Sequence, residues 1–186
     1  GCDSIAYTYT EPTIFFEYAF DIAREAREKG MANNFVTNGY IEEAPLRAIA
    51  PYLDAANIDL KGFSEVFYRD VCGARLSGVL DSIRLYRELG VWIELTTLII
   101  PGHNDSDEEL RSIARFIAKD LGVEVPWHVS AFYPTYKLLD VEPTSPQSLA
   151  RAREIGRDEG LRYVYEGNIP GSGGENTSCH NCGKTV

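Results

Sequence analysis

Apolar side chains recur along the chain with two alternating periods, one typical of helices and one typical of strands. Ile14, Tyr18, Ile22 and Ala26 repeat at a spacing of four residues, which predicts an amphipathic helix over residues 13–29. The same period predicts four further helices and one helical turn, several of which end at a glycine. The helices are residues 42–53, 77–89, 106–120 and 145–159, and the turn is residues 64–71.

Short stretches rich in β-branched and aromatic residues lie between these helices, and each is predicted to be a strand. They are residues 4–9, 35–37, 55–60, 91–100, 127–132 and 162–165. A strand followed by a helix thus repeats about five times, which is the pattern of a parallel sheet covered by helices. Parallel connections are right-handed, so the alternatives are an open doubly wound sheet and a barrel.

Polar side chains on one side of several strands favour the barrel. Because side chains alternate along a strand, Asn57, Asp59 and Lys61 share one face, away from Ile58 and Leu60. The same one-sided pattern places Glu94 and Thr96 with Trp92, and His128 and Ser130 with Phe132. Strands of an open sheet, buried on both faces, would be almost purely apolar, whereas a barrel interior opens into a site at the carboxyl ends of its strands.

A complete eight-fold barrel usually needs about 250 residues, and this chain has 186. The sequence therefore predicts an α/β fold with a partial (β/α) barrel over residues 1–165. From residue 166 onwards glycine and polar residues dominate. We expect residues 166–186 to form an irregular tail that contains cysteines.

The charge balance excludes two classes of partner. The chain has 28 acidic and 18 basic residues, so its net charge at pH 7 is −10. A nucleic-acid binder, or a protein held at an anionic membrane surface, needs a basic patch instead. No apolar run approaches the roughly 20 residues that span a bilayer, and no secretory signal pattern stands at the start of the sequence. We expect a cytoplasmic protein with no nucleic-acid or membrane partner.

The four cysteines do not suggest a disulfide framework. Cys2 and Cys72 are isolated, whereas Cys179 and Cys182 form a C-x-x-C pair followed by Gly183. This is half of a zinc-knuckle pattern, and a tetrahedral structural site needs two further ligands. The sequence contains no second C-x-x-C pair. Two interpretations stay open: Cys179 and Cys182 bind zinc, or they are solvent-facing thiols in a flexible tail.

Polar signatures stand where predicted strands end. Each has an ordinary structural explanation by itself, such as a turn at Asn38-Gly39 or an interior ion pair between Asp59 and Lys61. At the carboxyl ends of successive parallel strands, however, such residues meet in one cavity. We therefore expect one cavity to be lined by Glu11, Asn38, Asp59, Lys61 and His128.

Four segments also occur in a characteristic order. They are Tyr9-Thr10-Glu11-Pro12-Thr13, Phe35-Val36-Thr37-Asn38-Gly39-Tyr40, Asn57-Ile58-Asp59-Leu60-Lys61-Gly62 and Leu98-Ile99-Ile100-Pro101-Gly102-His103-Asn104-Asp105. This series resembles radical S-adenosylmethionine (SAM) enzymes of the pyruvate formate-lyase-activating type. It is closer still to the radical SAM member of the AmmeMemoRadiSam system, in which we also expect Trp127-His128-Val129-Ser130, Tyr163-Val164-Tyr165 and the cysteine-containing segment 175–183. The resemblance covers essentially the whole chain.

The resemblance implies SAM-binding roles for residues at the strand ends. Thr10 and Glu11 stand where the family has a Gly-Gly-Glu-Pro loop that receives the SAM amino group, although the glycines are missing here. Asp59 and Lys61 match an Asp-Leu-Lys segment that faces the SAM ribose and carboxylate. The remaining implied contacts are Thr37 and Asn38 at the methionine part, Thr96 at a position that is often polar or basic, His128, and Tyr133 where relatives often have histidine.

One family feature is absent from the sequence. Radical SAM enzymes bind a [4Fe–4S] cluster through a C-x-x-x-C-x-x-C loop after the first strand, and this sequence has no such loop. The resemblance thus implies a partial barrel of the radical SAM type whose first strand is missing, with the cluster ligated by cysteines outside this segment. The parent protein would cleave SAM reductively to a 5′-deoxyadenosyl radical, and the segment alone should be inactive. SAM would be its small-molecule partner, and a protein substrate is compatible with an activating role.

Two other functions fit the same residues. A (β/α)-barrel lyase or aldolase would use Lys61 as a Schiff-base nucleophile, with Asp59 as its partner. A non-catalytic barrel would bind SAM or a partner protein and carry a zinc module at Cys179 and Cys182. An upstream C-x-x-x-C-x-x-C segment would favour the radical SAM enzyme, and borohydride trapping on Lys61 would favour the aldolase.

Overall fold

A computed structural model describes residues 1–171 and 173–186. In chain order its strands and helices are β1 (Ser4–Tyr7), α1 (Phe16–Glu28), β2 (Ala32–Thr37), α2 (Glu43–Ile49), β3 (Ala55–Asp59), α3 (Glu65–Phe67), α4 (Leu76–Glu88), β4 (Trp92–Ile99), α5 (Asp107–Phe116), β5 (Trp127–Ala131), α6 (Pro146–Asp158) and β6 (Val164–Gly167). The chain divides into two compact units. The first unit comprises Gly1–Asp59 and Ala74–Glu94, and the second comprises Leu60–Gly73 and Leu95–Val186.

The first unit is built on parallel strands in the order β1-β2-β3. Tyr7 lies opposite Phe35 in the β1–β2 pair, and Thr37 lies opposite Ile58 in the β2–β3 pair. Helix α1 packs on β2, and α2 packs beside α4. Among the described residues β1 has one neighbouring strand in this unit, so it is an edge strand.

The second unit has parallel strands in the order β4-β5-β6, with β4 beginning in the first unit. Ile99 lies opposite Ala131 in the β4–β5 pair. Helix α6 packs on β5 and β6, and α5 packs beside α6. The predicted alternation of helices with parallel strands is confirmed in both units.

In each unit the strands have one buried face and one partly exposed face. In β3, Ala56 and Ile58 are buried, whereas Asn57 and Asp59 are partly exposed. In β5 the buried residues are Trp127, Val129 and Ala131, and the partly exposed residues are His128 and Ser130. The one-sided polarity predicted from the sequence is therefore present in the structure of both units.

Strand β2 begins three residues earlier than the predicted stretch 35–37. Asn33 is an unfavourable strand residue by propensity, but its buried amide donates to the backbone oxygens of Ala23 and Tyr52, both at 3.0 Å. Its Oδ1 atom accepts from the Tyr7 hydroxyl at 2.9 Å. These three tertiary hydrogen bonds stabilise an asparagine inside the strand. The local pattern of residue types gives no sign of these bonds, so it predicts a shorter strand.

Helix α1 begins at Phe16, later than the predicted residue 13. Residues 12–15 instead form a turn. The backbone N–H and the hydroxyl of Thr13 both donate to Oε1 of Glu11, at 3.3 and 3.1 Å. Thr13 therefore helps to close a turn around the Glu11 carboxylate.

Strand β6 runs two residues beyond the predicted stretch 162–165. Glu166 is buried in it and forms an ion pair with Arg153, with 3.3 Å between Oε1 and Nη1. The Glu166 N–H also donates to the Gly174 carbonyl at 3.1 Å. Because its charge is paired, an acidic residue can occupy a buried strand position that the hydrophobic pattern assigns to a tail.

None of the helices in the described part of the chain is both long enough and apolar enough to cross a bilayer.

Candidate functional site

A buried carboxylate organises the carboxyl end of β2 in the first unit. Glu11 Oε1 accepts a 2.6 Å hydrogen bond from the Thr37 hydroxyl, in addition to the two bonds from Thr13. Glu11 Oε2 accepts from the Asn38 backbone N–H at 2.7 Å. The residue is 7% exposed. Three of these four donors converge on Oε1 and one reaches Oε2. The Glu11 side chain therefore fixes the loop after β1 against β2.

The Asn38-Gly39 turn follows β2 directly. The Tyr40 N–H donates to Asn38 Oδ1 at 2.8 Å, and the Ser82 hydroxyl of α4 donates to the Gly39 carbonyl. Gly39 has a φ of +71°, and a Cβ atom there would lie 2.6 Å from Cγ2 of Ile58. Only glycine fits this conformation and this close approach to β3.

Asp59 and Thr10 complete the predicted residues of the first unit. Asp59 is the last residue of β3 and lies on its partly exposed face, as the alternation of side chains along the strand predicts. Thr10 is exposed in the loop after β1. Both residues are thus accessible at the carboxyl ends of their strands, which is where binding sites of parallel sheets form.

Asn104 fixes the backbone of Lys61 in the second unit. Its Nδ2 atom donates to the carbonyl oxygens of Lys61 and Leu98, at 2.7 and 2.8 Å. Its Oδ1 atom accepts from the Ile100 N–H at 2.6 Å. The Lys61 N–H donates to the Tyr68 hydroxyl at 3.0 Å. Asn104 is 1% exposed. This residue of the Leu98–Asp105 segment therefore has a structural role, which is to fix the backbone at Lys61.

Thr96, His128 and Tyr165 form a row across three adjacent strands. Thr96 lies opposite His128 in the β4–β5 pair, and His128 lies opposite Tyr165 in the β5–β6 pair. The rings of His128 and Tyr165 stack, with centroids 5.2 Å apart and planes inclined by 23°. Tyr165 was missed as a candidate site residue, although its place on the partly exposed face follows from the same alternation that identified His128.

Tyr133 lies just beyond β5 and is 50% exposed. Its hydroxyl donates to the Asn168 carbonyl at 3.2 Å. The side chain of Asn168 donates to the Ala131 carbonyl at 2.8 Å. Tyr133 is therefore anchored to the end of β6 and remains accessible to a ligand.

The described cysteines do not form a cluster-binding loop. Cys2 is exposed and Cys72 is half-buried. Burial raises the pKa of the Cys72 thiol, and the positive charge of Lys61 acts in the opposite direction. Within residues 1–171 and 173–186 no group of three or more His, Cys, Asp or Glu side chains is placed to bind a metal ion. Cys179 and Cys182 lie in a tail hairpin, in which Ser178 and Thr185 form an antiparallel bridge and the Gly183 N–H donates to the Cys179 carbonyl at 2.8 Å.

The parallel strands and the ordered segments at their carboxyl ends are features of one protein superfamily. The sequence pattern of the Radical SAM superfamily matches residues 1–117, well over half of the 186 residues. The chain belongs to the radical SAM superfamily.

Curated relatives agree with this membership. An uncharacterized protein of Methanocaldococcus jannaschii is 50% identical over 183 residues, covering 98% of this chain and 54% of that protein. An isethionate sulfite-lyase activating enzyme of Oleidesulfovibrio alaskensis is 28% identical over 123 residues, covering 63% and 40%. A pyruvate formate-lyase-activating enzyme of Clostridium pasteurianum is 26% identical over 136 residues, covering 68% and 57%. The chain spans about half the length of these relatives.

Solved structures show the same fold. A domain of pyruvate-formate lyase-activating enzyme from Bacteroides vulgatus has a TM-score of 0.75 at 18% identity, covering 90% of this chain and 100% of that one. Streptococcus suis SuiB bound to S-adenosylmethionine has a TM-score of 0.69 at 13% identity, covering 95% and 42%. The predicted α/β fold of partial radical SAM type is confirmed, as is the likeness to pyruvate formate-lyase-activating enzymes. The subgroup and the individual SAM contacts stay predictions, as does the single cavity.

Proposed function

We propose that this chain is the SAM-binding part of a radical SAM enzyme of the pyruvate formate-lyase-activating type. One observation supports this above the others: the strands of this superfamily member keep a polar, partly exposed face. In the first unit Asp59 ends β3 on such a face, and in the second unit Thr96 and His128 lie side by side on β4 and β5. Strands with a purely structural role between two helical layers would be apolar on both faces.

The chemistry of these side chains suits the parts of SAM. The Asp59 carboxylate can accept hydrogen bonds from the two ribose hydroxyl groups, and the Lys61 ammonium can pair with the SAM carboxylate. The Lys61 contact is favoured by a fixed backbone, since Asn104 donates to the Lys61 carbonyl at 2.7 Å and the Lys61 N–H donates to the Tyr68 hydroxyl at 3.0 Å. We assign supporting contacts to Thr96, His128 and Tyr133.

Glu11 and Thr37 act as positioning residues in this proposal. Both Glu11 oxygens already accept hydrogen bonds from Thr13, Thr37 and Asn38, and the residue is 7% exposed, so the protein's own donors compete with the SAM ammonium for this carboxylate. We assign the ammonium to backbone carbonyl groups of the exposed loop around Thr10 instead. The role of Glu11 is then to hold that loop in place.

The iron–sulfur cluster does not fit the residues described here. A [4Fe–4S] cluster needs cysteine thiolates from one loop, and neither Cys2 nor Cys72 has a cysteine partner in such a loop. We therefore place the ligating cysteines outside these 186 residues. When bound, the cluster and SAM would supply the one-electron chemistry that yields a 5′-deoxyadenosyl radical. The residues of this chain would bind and orient SAM.

The test uses a polypeptide in which a C-x-x-x-C-x-x-C segment precedes these residues, reconstituted anaerobically with iron and sulfide. Given SAM and a reductant, it should release 5′-deoxyadenosine. Asp59→Asn should reduce the rate at subsaturating SAM by roughly 10- to 100-fold, the loss expected for charge-assisted hydrogen bonds. Asp158→Asn, an exposed change in α6, is the matched control and should leave the rate unchanged. Iron content per chain should be equal in all three proteins.

Two results would overturn the proposal. A polypeptide that loads iron and binds SAM but releases no 5′-deoxyadenosine would contradict the reaction. A covalent adduct on Lys61 after borohydride reduction with a carbonyl compound would support the Schiff-base enzyme instead, and Lys119→Met, on an exposed lysine, is the control for nonspecific trapping.

A further inference from the structure

Three side chains of the second unit hold the backbone of the loop that follows β3. The Lys61 N–H donates to the Tyr68 hydroxyl at 3.0 Å, and the Lys61 carbonyl accepts from Asn104 Nδ2 at 2.7 Å. Two residues further on, the Phe63 N–H donates to Oε1 of Glu109 in helix α5. Tyr68 and Asn104 are buried, and Glu109 is half-buried. The loop backbone is thus attached at three points to side chains of the same unit.

The Glu109 carboxylate makes a contact that its local sequence does not predict. Ser106-x-x-Glu109 is a capping box, in which the acidic side chain reaches back to the N–H group of the serine. The Ser106 hydroxyl follows this pattern and accepts from the Glu109 N–H at 3.2 Å. Oε1 of Glu109, however, accepts from the Phe63 N–H, 46 positions earlier in the chain. Departures from a local pattern are expected at functional or strained sites.

The residues around this contact leave room for it. A Cβ atom on Gly62 would lie 3.1 Å from Oε1 of Glu109 and 2.9 Å from Cδ1 of Phe67, so a side chain there would displace its neighbours. The Phe63 ring packs against the ring of Phe116, the last residue of α5, with centroids 5.8 Å apart. Helix α5 therefore holds Phe63 through both its main chain and its side chain.

A fixed loop matters for a lysine because the lysine side chain is long and flexible. Pairing an ammonium group with an anion costs the side chain rotamer freedom. If the loop backbone also became ordered only on binding, that further loss of entropy would weaken the binding. The three hydrogen bonds already order the loop around Lys61, so this second loss does not arise when a ligand binds.

We propose that Glu109 is a positioning residue for SAM: by holding the Phe63 N–H, its carboxylate fixes the loop that presents the Lys61 ammonium to the SAM carboxylate. This inference rests on the proposed function, in which Lys61 makes that ion pair. Glu109 does not contact SAM and acts only through the loop. Its removal should therefore weaken SAM binding and leave the rate of reaction of bound SAM unchanged.

The experiment measures KM for SAM and kcat for 5′-deoxyadenosine release with the cluster-loaded polypeptide defined above. Glu109→Ala removes the acceptor and should raise KM by about 5- to 10-fold, the loss expected for one hydrogen bond, with kcat unchanged. Glu109→Gln keeps an oxygen that can accept from the Phe63 N–H and should recover most of the affinity. Glu108→Ala removes an exposed acidic residue from the same helical turn and should behave like wild type.

A double-mutant cycle tests whether Glu109 acts through Lys61. Lys61→Met should raise KM by itself, and adding Glu109→Ala should raise it no further, because the group that Glu109 positions is then absent. Glu109→Asp keeps the charge but shortens the side chain, so it should raise KM in the same direction. It takes the place of the alanine variant in the cycle if that variant folds poorly.

Three results would overturn the inference while leaving the proposed function intact. They are a wild-type KM in a Glu109→Ala variant of lowered melting temperature, a loss confined to kcat, and additive effects of Glu109→Ala and Lys61→Met. Failure of the proposed function looks different. In that case wild type would release no 5′-deoxyadenosine, or Lys61→Met alone would leave KM unchanged.

Discussion

The hydroxyl of Thr37 donates a 2.6 Å hydrogen bond to Oε1 of Glu11, a residue 26 positions earlier in the chain. This bond joins the loop after β1 to the end of β2. The Glu11 carboxylate accepts three further bonds from Thr13 and Asn38. One buried acidic side chain thus determines the position of the loop to which we assign the SAM ammonium.

Replacing Glu11 with glutamine should destabilise the protein. The Gln side chain has one oxygen acceptor, and its NH₂ group would face a donor where Glu11 had an acceptor. We expect the free energy of unfolding to fall by about 1–3 kcal/mol, the cost of unpaired buried donors. Urea unfolding of Glu11→Gln and of the exposed control Glu28→Gln measures this. Equal stability of the two variants would show that the carboxylate is not the organising group.

Asn104→Asp should destabilise the second unit and displace Lys61. The substitution places a carboxylate oxygen against the carbonyl oxygens of Lys61 and Leu98, which now accept hydrogen bonds from Nδ2. We expect a loss of about 2–3 kcal/mol of unfolding free energy. Asn176→Asp makes the same chemical change at an exposed position and should be nearly neutral. A neutral Asn104→Asp variant would contradict the buried hydrogen-bond arrangement.

Tyr86→Phe should leave the protein as stable or make it more stable. The Tyr86 hydroxyl is buried and finds no hydrogen-bond partner among the described residues. Burial raises the pKa of this phenol, and the negative charge of Glu11 raises it further. Removing an unpaired buried hydroxyl should change the unfolding free energy by between 0 and about +1 kcal/mol.

The matched comparison for this variant is Tyr7→Phe. The Tyr7 hydroxyl is also buried but donates to Asn33 Oδ1 at 2.9 Å, so its removal should cost about 1–2 kcal/mol. Thermal unfolding of both variants provides the measurement. If Tyr86→Phe loses as much stability as Tyr7→Phe, the Tyr86 hydroxyl has a partner in solution.

The ion pairs of Glu159 should contribute to the pH dependence of stability. Arg115 and Arg111 bind the Glu159 carboxylate at 3.0 and 3.2 Å, and the hydrogen bond from Arg115, followed by that from Arg111, lowers the Glu159 pKa. A carboxylate with a lowered folded-state pKa stabilises the protein above its unfolded-state pKa of about 4.3, and the contribution disappears as the pH falls through the folded-state value.

Melting temperatures between neutral and acidic pH test this expectation. Wild type should melt above Glu159→Gln near neutral pH, and the difference should disappear in acid. Glu154→Gln, an exposed change in helix α6 just before Glu159, should melt like wild type throughout. A difference between wild type and Glu159→Gln that persists unchanged in acid would mean that ion pairing is not its origin.

Local sequence patterns predicted the features that depend on neighbours in the chain. The alternation of Asn57 and Asp59 with Ile58 gave the polar face of β3, since side-chain direction in a strand follows from residue parity. The spacing Ser106-x-x-Glu109 is a local pattern for the start of a helix, and the Ser106 hydroxyl accepts from the Glu109 N–H at 3.2 Å. The same pattern would direct the Glu109 carboxylate back to the Ser106 N–H. In the structure that carboxylate accepts from the Phe63 N–H of the loop after β3, a contact between distant segments.

Features that join distant segments could not be predicted in this way. Asn104 binds a carbonyl 43 positions away at Lys61, and His128 stacks on Tyr165 of the next strand. Local periodicity contains no information about such partners, because they meet only when the strand register is set. For the same reason the hydrogen bonds that the Glu11 carboxylate accepts from Thr13, Thr37 and Asn38 could not be predicted from the sequence, and its role as a SAM contact stays a prediction.

The most direct measurement of the SAM site is a ¹⁵N–¹H correlation spectrum of the labelled chain during titration with SAM. We predict saturable amide shifts at Thr10, Asn38, Asp59, Lys61, Thr96 and His128, with the tail hairpin around Cys179 and Cys182 unchanged. ATP, which shares the adenosine group but lacks the methionine part, should leave Thr10 and Asn38 unshifted. Shifts confined to the outer surface of helices α2 and α4, or no shifts at saturating SAM, would contradict the assignment of the strand carboxyl ends as the SAM-binding site.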